Sequence, residues 1–330
     1  MMKKCNSTFF KMLAFLIMLT LSAFVSSSIG ETISDLSIQS VQEAAKYGDN
    51  LIVNGKGNVT FEWAKDDSAS ARAQELYQQA VDTTPAGAFK VIVNSKSINL
   101  FMAFDGPKIR CDENTVDLMP NGKTFNRCWQ SAYNGEKMDL LRLDGIGTNS
   151  LILPIGSIQK NNIIFVDRYD PRYYGMCVFG IPVAVFLEGS ALEGNLQNLK
   201  ITGEEALDTI LCTTVEADVV DSDIHYKLWL DQGKMYRPLA IEKKTKTGLT
   251  SIHNTFKEYD GNIWFPDNIS VKTFYLDTDT QKFVLDEHFT LSVQPDFTVN
   301  TEVDDSLFEI AFPKGLSVYD NRTGSSVIIQ

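Results

Sequence analysis

The fold class is indicated most clearly by a stretch near the end of the chain, Asp304-Asp305-Ser306-Leu307-Phe308-Glu309-Ile310-Ala311-Phe312-Pro313-Lys314-Gly315-Leu316-Ser317-Val318-Tyr319-Asp320-Asn321-Arg322. Between Leu307 and Phe312 the side chains alternate in character, and a two-residue period predicts a strand that buries one face. Pro313 cannot donate a hydrogen bond to a neighbouring strand, and Gly315 allows the backbone to reverse. We therefore predict two short strands joined at a Pro-x-Gly corner, in a protein built mainly from β-sheet.

Tight-turn signals recur along the chain and favour an antiparallel sheet. Asp-Gly and Asn-Gly pairs at 105–106, 121–122 and 134–135 fit hairpins whose central residues need a positive φ. The predicted strands cover 57–63, 90–104, 109–116, 125–133, 137–143, 211–219, 224–230, 239–246, 251–259, 263–275 and 283–293. This spacing predicts a mainly β (α+β) protein with a few helices, rather than an alternation of helices and strands.

Helical signals are fewer and weaker. Apolar residues recur at helical spacing over 33–45 and again over 66–80, where two aspartates precede the first turn. The stretch 183–196 also permits a helix, although Pro182 and Gly189 bracket it. We expect one elaborated domain with an insertion near 145–200. A domain junction in that region is the alternative.

Residues 1–30 are typical of a cleavable export signal. Three lysines precede an apolar run from Met12 to Val25, which is shorter than the ~20 residues that span a bilayer. Small residues up to Gly30 suit cleavage before Glu31. The sequence therefore predicts an exported mature chain of residues 31–330, periplasmic or secreted and not membrane-spanning once processed. An uncleaved anchor is the alternative.

The charge of the chain limits its partners. The formal net charge is -12, and removal of the three signal lysines would bring it to -15. A chain with this much negative charge is repelled by phosphate backbones and by anionic lipid surfaces. We therefore expect no nucleic-acid partner. With 44% hydrophobic residues, the chain has enough apolar surface for a large core.

Four cysteines remain after the signal: Cys111, Cys128, Cys177 and Cys212. In an exported protein they allow two disulfides in three pairings. Cys111 and Cys128 flank a predicted hairpin turn, which makes them our candidate disulfide. Buried free thiols are the alternative. No pair has the short spacing of a zinc ribbon, so no metal site is expected.

Several segments resemble the bacterial outer-membrane lipoprotein carriers, the LolA-like superfamily of lipoprotein-sorting proteins. Besides the 304–322 stretch, these segments are Ser95–Arg110, Ser131–Lys137, His225–Asp231, Arg237–Glu242 and Ile263–Pro266. They cover most of 87–144 and 200–324. This chain is longer than those carriers and strongly acidic, so the resemblance transfers the fold better than the function.

The resemblance implies a strongly curved antiparallel sheet, a half-open barrel, with helices lying across its opening over an apolar cavity. It also implies that a sheet arginine ties the covering helices down, and Arg110 is the positional candidate. Aromatic residues of the strands are then candidates to line the cavity, with ordinary core packing as the alternative. The candidates are Trp63, Phe101, Trp129 and Tyr133.

No pattern of residues indicates catalysis. The three histidines, His225, His253 and His288, have no recognisable partner in sequence, and no nucleophile elbow, phosphate loop or metalloprotease helix occurs. We therefore expect no enzyme and no cofactor. The favoured function is an exported binder or chaperone of a lipid, lipoprotein or other apolar ligand, with an envelope protein as a further candidate partner. The alternative is a non-catalytic interaction or sensor module whose core is filled.

Overall fold

A computed structural model describes residues 36–66, 95–118, 122, 124–143, 155–159 and 170–330. The predicted export signal and most of the predicted 66–80 helix lie outside these residues. No helix in the described part of the chain is long and apolar enough to cross a membrane.

Strands dominate the described chain, as predicted. The helices are α1 (Ile38–Asn50), α2 (Pro171–Gly175) and α3 (Val183–Leu187). The strands are β1 (Asn54–Lys65), β2 (Ser95–Asp105), β3 (Lys108–Leu118), β4 (Thr124–Tyr133), β5 (Met138–Arg142), β6 (Ile155–Gln159), β7 (Cys177–Val178), β8 (Ile181–Pro182), β9 (Ser190–Ala191), β10 (Gly194–Leu207), β11 (Ile210–Val219), β12 (His225–Asp231), β13 (Arg237–Lys244), β14 (Gly248–Tyr259), β15 (Ile263–Asp277), β16 (Lys282–Val293), β17 (Thr298–Val299), β18 (Ser317–Asp320) and β19 (Ser325–Ile328).

Seventeen of these strands form one curved sheet that is not closed into a barrel. β1 pairs antiparallel with β2 on one side and with β16 on the other. On the first side β2 to β6 follow in chain order, and β18 then adds parallel to β6 and pairs with β19. On the other side β15 back to β10 follow in reverse order. The predicted curved, half-open sheet is confirmed, with one parallel pair added.

The register defines two faces of the sheet. Directly opposite residues share a face, and successive residues of a strand alternate between faces. We call the face that carries Val59, Leu100, Leu228 and Leu291 the inner face, because these side chains are almost completely buried in the main core. The three helices pack against this core, chiefly over the half of the sheet that runs from β10 to β16.

Two sequence expectations about secondary structure are wrong. Leu307 to Phe312 is not a strand: a 3-10 turn covers Asp305–Phe308, and the chain then runs on outside any ladder, although Phe308 and Ile310 are buried as the alternation predicted. A helix does not cover 183–196 either. α3 ends at Leu187 because Gly189 turns the chain at φ +99°, and β10 begins at Gly194.

The C-terminal segment covers the outer face of the first half-sheet. Ile310 packs with Ala132 and Leu141 in a second apolar cluster, joined by partly buried Phe312 and Leu316. The backbone N–H of Ile310 donates to Asp139, which also pairs with Lys137 at 3.0 Å. The Pro313–Gly315 corner forms as predicted, with Gly315 at φ +79° and the Leu316 N–H bonded to the Pro313 carbonyl.

α1 is held to the sheet by a close backbone approach and a buried ion pair. A Cβ added at Gly48 would lie 3.0 Å from the Cβ of Met235, so only glycine fits this contact without a shift. The next residue, Asp49, hydrogen-bonds and ion-pairs with Arg237 of β13. The Arg237 side chain is 3% exposed and that of Asp49 is 27% exposed.

Replacing Arg237 by methionine is expected to lower the free energy of unfolding by about 3–5 kcal/mol, because it leaves the largely buried carboxylate of Asp49 without its cation. Urea unfolding followed by circular dichroism measures the loss. Arg322→Met, which removes the arginine of a more exposed pair with Asp320, is the matched control and should cost less. Equal losses in the two variants would contradict a tether at Arg237.

Candidate functional site

Three of the four predicted cavity residues lie on the inner face and one does not. Trp129 lies opposite Glu113, in the same row as Leu100 and Val59. Trp63 shares the face of Phe61, and Tyr133 lies in the row of Phe104. Phe101 points to the outer face, because it neighbours the inner-face residues Leu100 and Met102 in β2. The register therefore separates Phe101 from the other three.

The inner face is filled in its second half. Beneath α3, Phe186 packs edge-on against Tyr226 with ring centroids 5.3 Å apart. Nearer the middle, Phe265 stacks on Phe104 and Phe297. Asn254, fully buried in β14, donates to the Pro238 carbonyl at 2.8 Å. The described residues beneath the helices thus form a packed core.

One part of the inner face of β1 to β5 brings residues of the main core beside polar side chains, and we call this part the trough. Its apolar part is formed by Val59, Phe61, Trp63, Ile98 and Leu100. Its polar part is formed by Glu113, Thr115, Asp117, Arg127, Trp129 and Arg142. The two parts meet along the β2–β3 ladder, where Ile98 lies opposite Thr115 and Leu100 opposite Glu113. The trough is therefore apolar on one side and hydrogen-bonding on the other.

Side chains of the polar part form an ion pair, a cation–π contact and a hydrogen bond with one another. Nη2 of Arg127 lies 2.8 Å from Oδ2 of Asp117, and the Asp117 side chain is 3% exposed. The guanidinium of Arg142 stacks over the ring of Trp129 at 5.1 Å, a cation–π contact. The hydroxyl of Thr115 donates to Glu113. At the far edge of the trough, Nε1 of Trp63 donates to Glu287 at 3.0 Å.

Arg110 does not contact a covering helix in the described structure. It lies on the outer face and forms a two-pronged pair with Asp112, at 2.5 and 2.9 Å. It also donates to the backbone carbonyl of Glu309 at 2.9 Å and to that of Leu307 at 3.3 Å. Arg110 thus ties down the C-terminal segment, and Arg237 is the arginine that ties a helix to the sheet.

The predicted Cys111–Cys128 disulfide is not formed in the structure, where the described cysteines Cys111, Cys128, Cys177 and Cys212 carry no disulfide bond. Cys111 lies opposite Ser131, whereas Cys128 lies opposite Asn114. The two cysteines are therefore an odd number of positions apart along the ladder, and their side chains leave opposite faces of the sheet. Burial raises the pKa of the Cys111 thiol strongly, and it raises that of Cys177 to about 12.

Two of the three histidines, His225 and His253, pair with surface carboxylates. Nδ1 of His225 lies 2.8 Å from Asp218, and Nε2 of His253 lies 3.0 Å from Asp208. Both rings are more than two-fifths exposed, so neither lies in a protected pocket. Among the described residues, no group of three or more His, Cys, Asp or Glu side chains could hold a metal ion.

Sequence reasoning missed Arg237 and the Asp117–Arg127 pair. Arg237 and its helix partner are 188 positions apart, and no local pattern links them. Asp117 and Arg127 lie diagonally across the β3–β4 hairpin, since Asp117 faces Phe125 and Arg127 faces Thr115. The sequence shows an acidic residue at Asp117 and a basic residue at Arg127 on either side of a predicted turn. It does not show the strand register that brings the two side chains together.

Comparisons with known proteins add little beyond this geometry. No family model matches the chain, and no curated protein sequence matches it. A DUF1329 family protein from Desulfovibrio piger is similar in structure over 82% of this chain and 97% of its own, with 11% identity and a TM-score of 0.39.

Two further solved structures are more weakly similar. The lipoprotein LppX of Mycobacterium tuberculosis shows 11% identity and a TM-score of 0.24, covering 82% of this chain and 99% of its own. A chain of the Pseudomonas aeruginosa MucA/MucB complex shows 8% identity and a TM-score of 0.22, covering 80% and 99%. At these TM-scores we draw no conclusion about function from the three likenesses.

Replacing Arg110 by methionine is expected to loosen the C-terminal segment, because it removes the donor to the carbonyls of Leu307 and Glu309. Chymotrypsin should then cleave after Phe308 several-fold faster, as followed by mass spectrometry. Lys108→Met, which removes an exposed ion pair with Asp305 in the same segment, should accelerate cleavage less. Unchanged cleavage in the Arg110 variant would contradict its assignment to this segment.

The four thiols are expected to be reduced and unequally reactive. In the folded protein at pH 8, Cys111 and Cys177 should resist alkylation by iodoacetamide, because burial keeps them protonated. After unfolding in denaturant without reductant, all four should react. Peptide mapping checks this count. A peptide pair cross-linked through Cys111 and Cys128 would show that the strand register is wrong.

Proposed function

We propose that the chain is a non-enzymatic binder of an amphipathic or apolar ligand, and that the ligand lies in the trough on the inner face of β1 to β5. The carrying observation is that two half-buried tryptophans, Trp63 and Trp129, lie on the inner face where the apolar residues of the main core adjoin hydrogen-bonding side chains.

The physical basis is the burial of an alkyl chain on the apolar part of the trough. Each methylene removed from water contributes about 0.8 kcal/mol, so a long chain binds firmly even if it is sheltered only in part. Val59, Ile98 and Leu100 are at most 1% exposed and packed in the main core, so the chain would lie against the partly exposed Trp63 and Trp129 beside them. Trp63, Trp129 and Tyr133 are the proposed contacts. Phe101 is left out because it lies on the other face.

The proposal extends to the organisation and location of the chain. We propose that residues 31–330 form one domain, since β6 and β9–β10 of the 145–200 region join the same sheet as the rest. We also propose that residues 1–30 direct export and are removed, which would place the binder in the periplasm or outside the cell. An apolar ligand or a lipoprotein is the proposed partner.

A second candidate is an interaction module that binds another protein instead of a lipid. The observation that favours it lies near α3, where Val185 is 38% exposed and Leu192 is 66% exposed. Tyr47 of α1, which packs against α3, is also largely exposed. Exposed apolar side chains on neighbouring elements are typical of protein-binding surfaces.

The proposed function is tested by tryptophan quenching. Two of the four tryptophans, Trp63 and Trp129, lie on the inner face. Trp229 and Trp264 lie on the outer face, because each is next in its strand to an inner-face residue, Leu228 or Phe265. Stearic acid brominated at mid-chain, its methyl ester and its monoglyceride are titrated into the protein. We expect saturable quenching of about half of the emission by at least one of the three.

The matched variants locate the quenching. In Trp229→Phe/Trp264→Phe, quenching should persist and affect most of the remaining emission. In Trp63→Phe/Trp129→Phe it should disappear. Quenching only of Trp229 or Trp264 would place the ligand on the other face. An absence of saturable quenching with all three probes would reject the binder and leave the interaction module.

A further inference from the structure

The polar part of the trough contains a specific hydrogen-bonding site. Resting on the function proposed above, we propose that Asp117 and Arg127 select a ligand whose polar end is uncharged and both donates and accepts hydrogen bonds. A hydroxyl group or an amide has this chemistry. The ligand class would then be a neutral single-chain amphiphile, such as a monoacylglycerol or a fatty amide.

Two buried polar atoms of this pair have no hydrogen-bond partner among the described residues. They are Oδ1 of Asp117 and Nε of Arg127, both shielded from solvent. Their neighbouring atoms, Oδ2 and Nη2, bond each other at 2.8 Å. The Asp117 carboxylate therefore keeps one unused acceptor, and the Arg127 guanidinium keeps one unused donor. Buried polar groups are nearly always hydrogen-bonded, so this arrangement indicates a missing group.

The position of the pair favours a ligand over an isolated structural role. Alternation along β3 and β4 directs both side chains to the inner face, and Asp117 is only 2% exposed. Arg127 and Thr115 lie in one row with Ile98 and Phe61, two apolar residues of the trough. Ile98 and Thr115 are at most 1% exposed, so an alkyl chain would reach the ion pair along the partly exposed Trp129 and Arg127 and not across that row.

The charges at the site disfavour an ionic group. Arg127 is already neutralised by Asp117, so an anion would accept a hydrogen bond from Nε but face the unpaired Oδ1 of the carboxylate. A cation would be attracted to Oδ1 of Asp117 but repelled by the guanidinium of Arg127. Lys96 lies opposite Asp117, and Arg142 stacks on Trp129. Lys96 and Arg142 also take part in further interactions. Glu113 accepts from Thr115. A group that donates to Oδ1 and accepts from Nε fits both atoms.

The experiment compares polar ends on one alkyl chain. Full-length mature protein is titrated with monostearoylglycerol, stearamide, stearate, stearylamine and methyl stearate, each displacing the brominated probe that quenches most strongly. We expect the monoglyceride and the amide to bind at least tenfold more tightly than the other three, equivalent to 1.4 kcal/mol. The methyl ester is the decisive comparison, because it is uncharged but cannot donate.

Two double variants separate the site from general effects. Asp117→Leu/Arg127→Met removes both unused atoms without leaving a lone buried charge, and it should bind all the uncharged ligands within about twofold of one another. Lys137→Met/Asp139→Leu removes an outer-face pair of closely similar exposure, 26% and 2% against 25% and 3%. This control should keep the full preference of the unmodified protein.

The outcomes distinguish this inference from the proposed function. If every polar end binds alike, or if the preference survives in Asp117→Leu/Arg127→Met, the selective site is overturned while the binder stands. Such a result would mean that water alone satisfies the two atoms. If no amphiphile binds, the proposed function fails and the selective site fails with it.

Discussion

The pairing of β1 with both β2 and β16 is the constraint on which the rest of the structure depends. β1 is where the two antiparallel meanders meet: β2 to β6 lie on one side of it and β16 to β10 on the other. Because opposite residues share a face, this double pairing aligns the apolar rows of both meanders into one inner face. A register shift of one residue at β1 would turn Val59 and Phe61 outward and divide the core.

Local features of β1 suit it to this position. Gly57 adopts φ +153°, and a Cβ there would lie 2.4 Å from the Cα of Phe297. The chain after β16 therefore approaches β1 closely enough for β17 to continue the ladder along it. Phe297 in turn stacks on Phe265 in the main core. Gly57 is therefore needed for the close contact between β1 and the backbone of Phe297, and not for flexibility.

Much of the fold was predictable from the sequence because antiparallel strands depend on local patterns. Alternation and Asp-Gly or Asn-Gly turns located most strands of both meanders to within a few residues. The failures occurred where tertiary contacts decide. The segment after Asp305 alternates like a strand but packs as an irregular cover, since its donors and acceptors are used by Asp139 and Arg110. β10 was missed because its exposed pattern carries little apolar signal.

The candidate site was predictable only in part, and register explains the difference. Trp63, Trp129 and Tyr133 could be chosen as aromatic strand residues, but the sequence did not show that Phe101 points away from them. The Asp117–Arg127 pair depends on a diagonal contact between strands, and the Arg237 tether depends on a partner in α1. Such contacts follow from how the strands and helices are assembled, which no short sequence window contains.

The proposed ligand would lie on the inner face between Trp63 and Trp129, beside the packed core. The most direct test is a crystal structure of the mature protein grown with a monoglyceride brominated at mid-chain, in which anomalous scattering locates the bromine atoms. We expect bromine between Trp63 and Trp129, with the glycerol end near Asp117. Bromine on the outer face, or among the residues beneath α1 and α3, would contradict it.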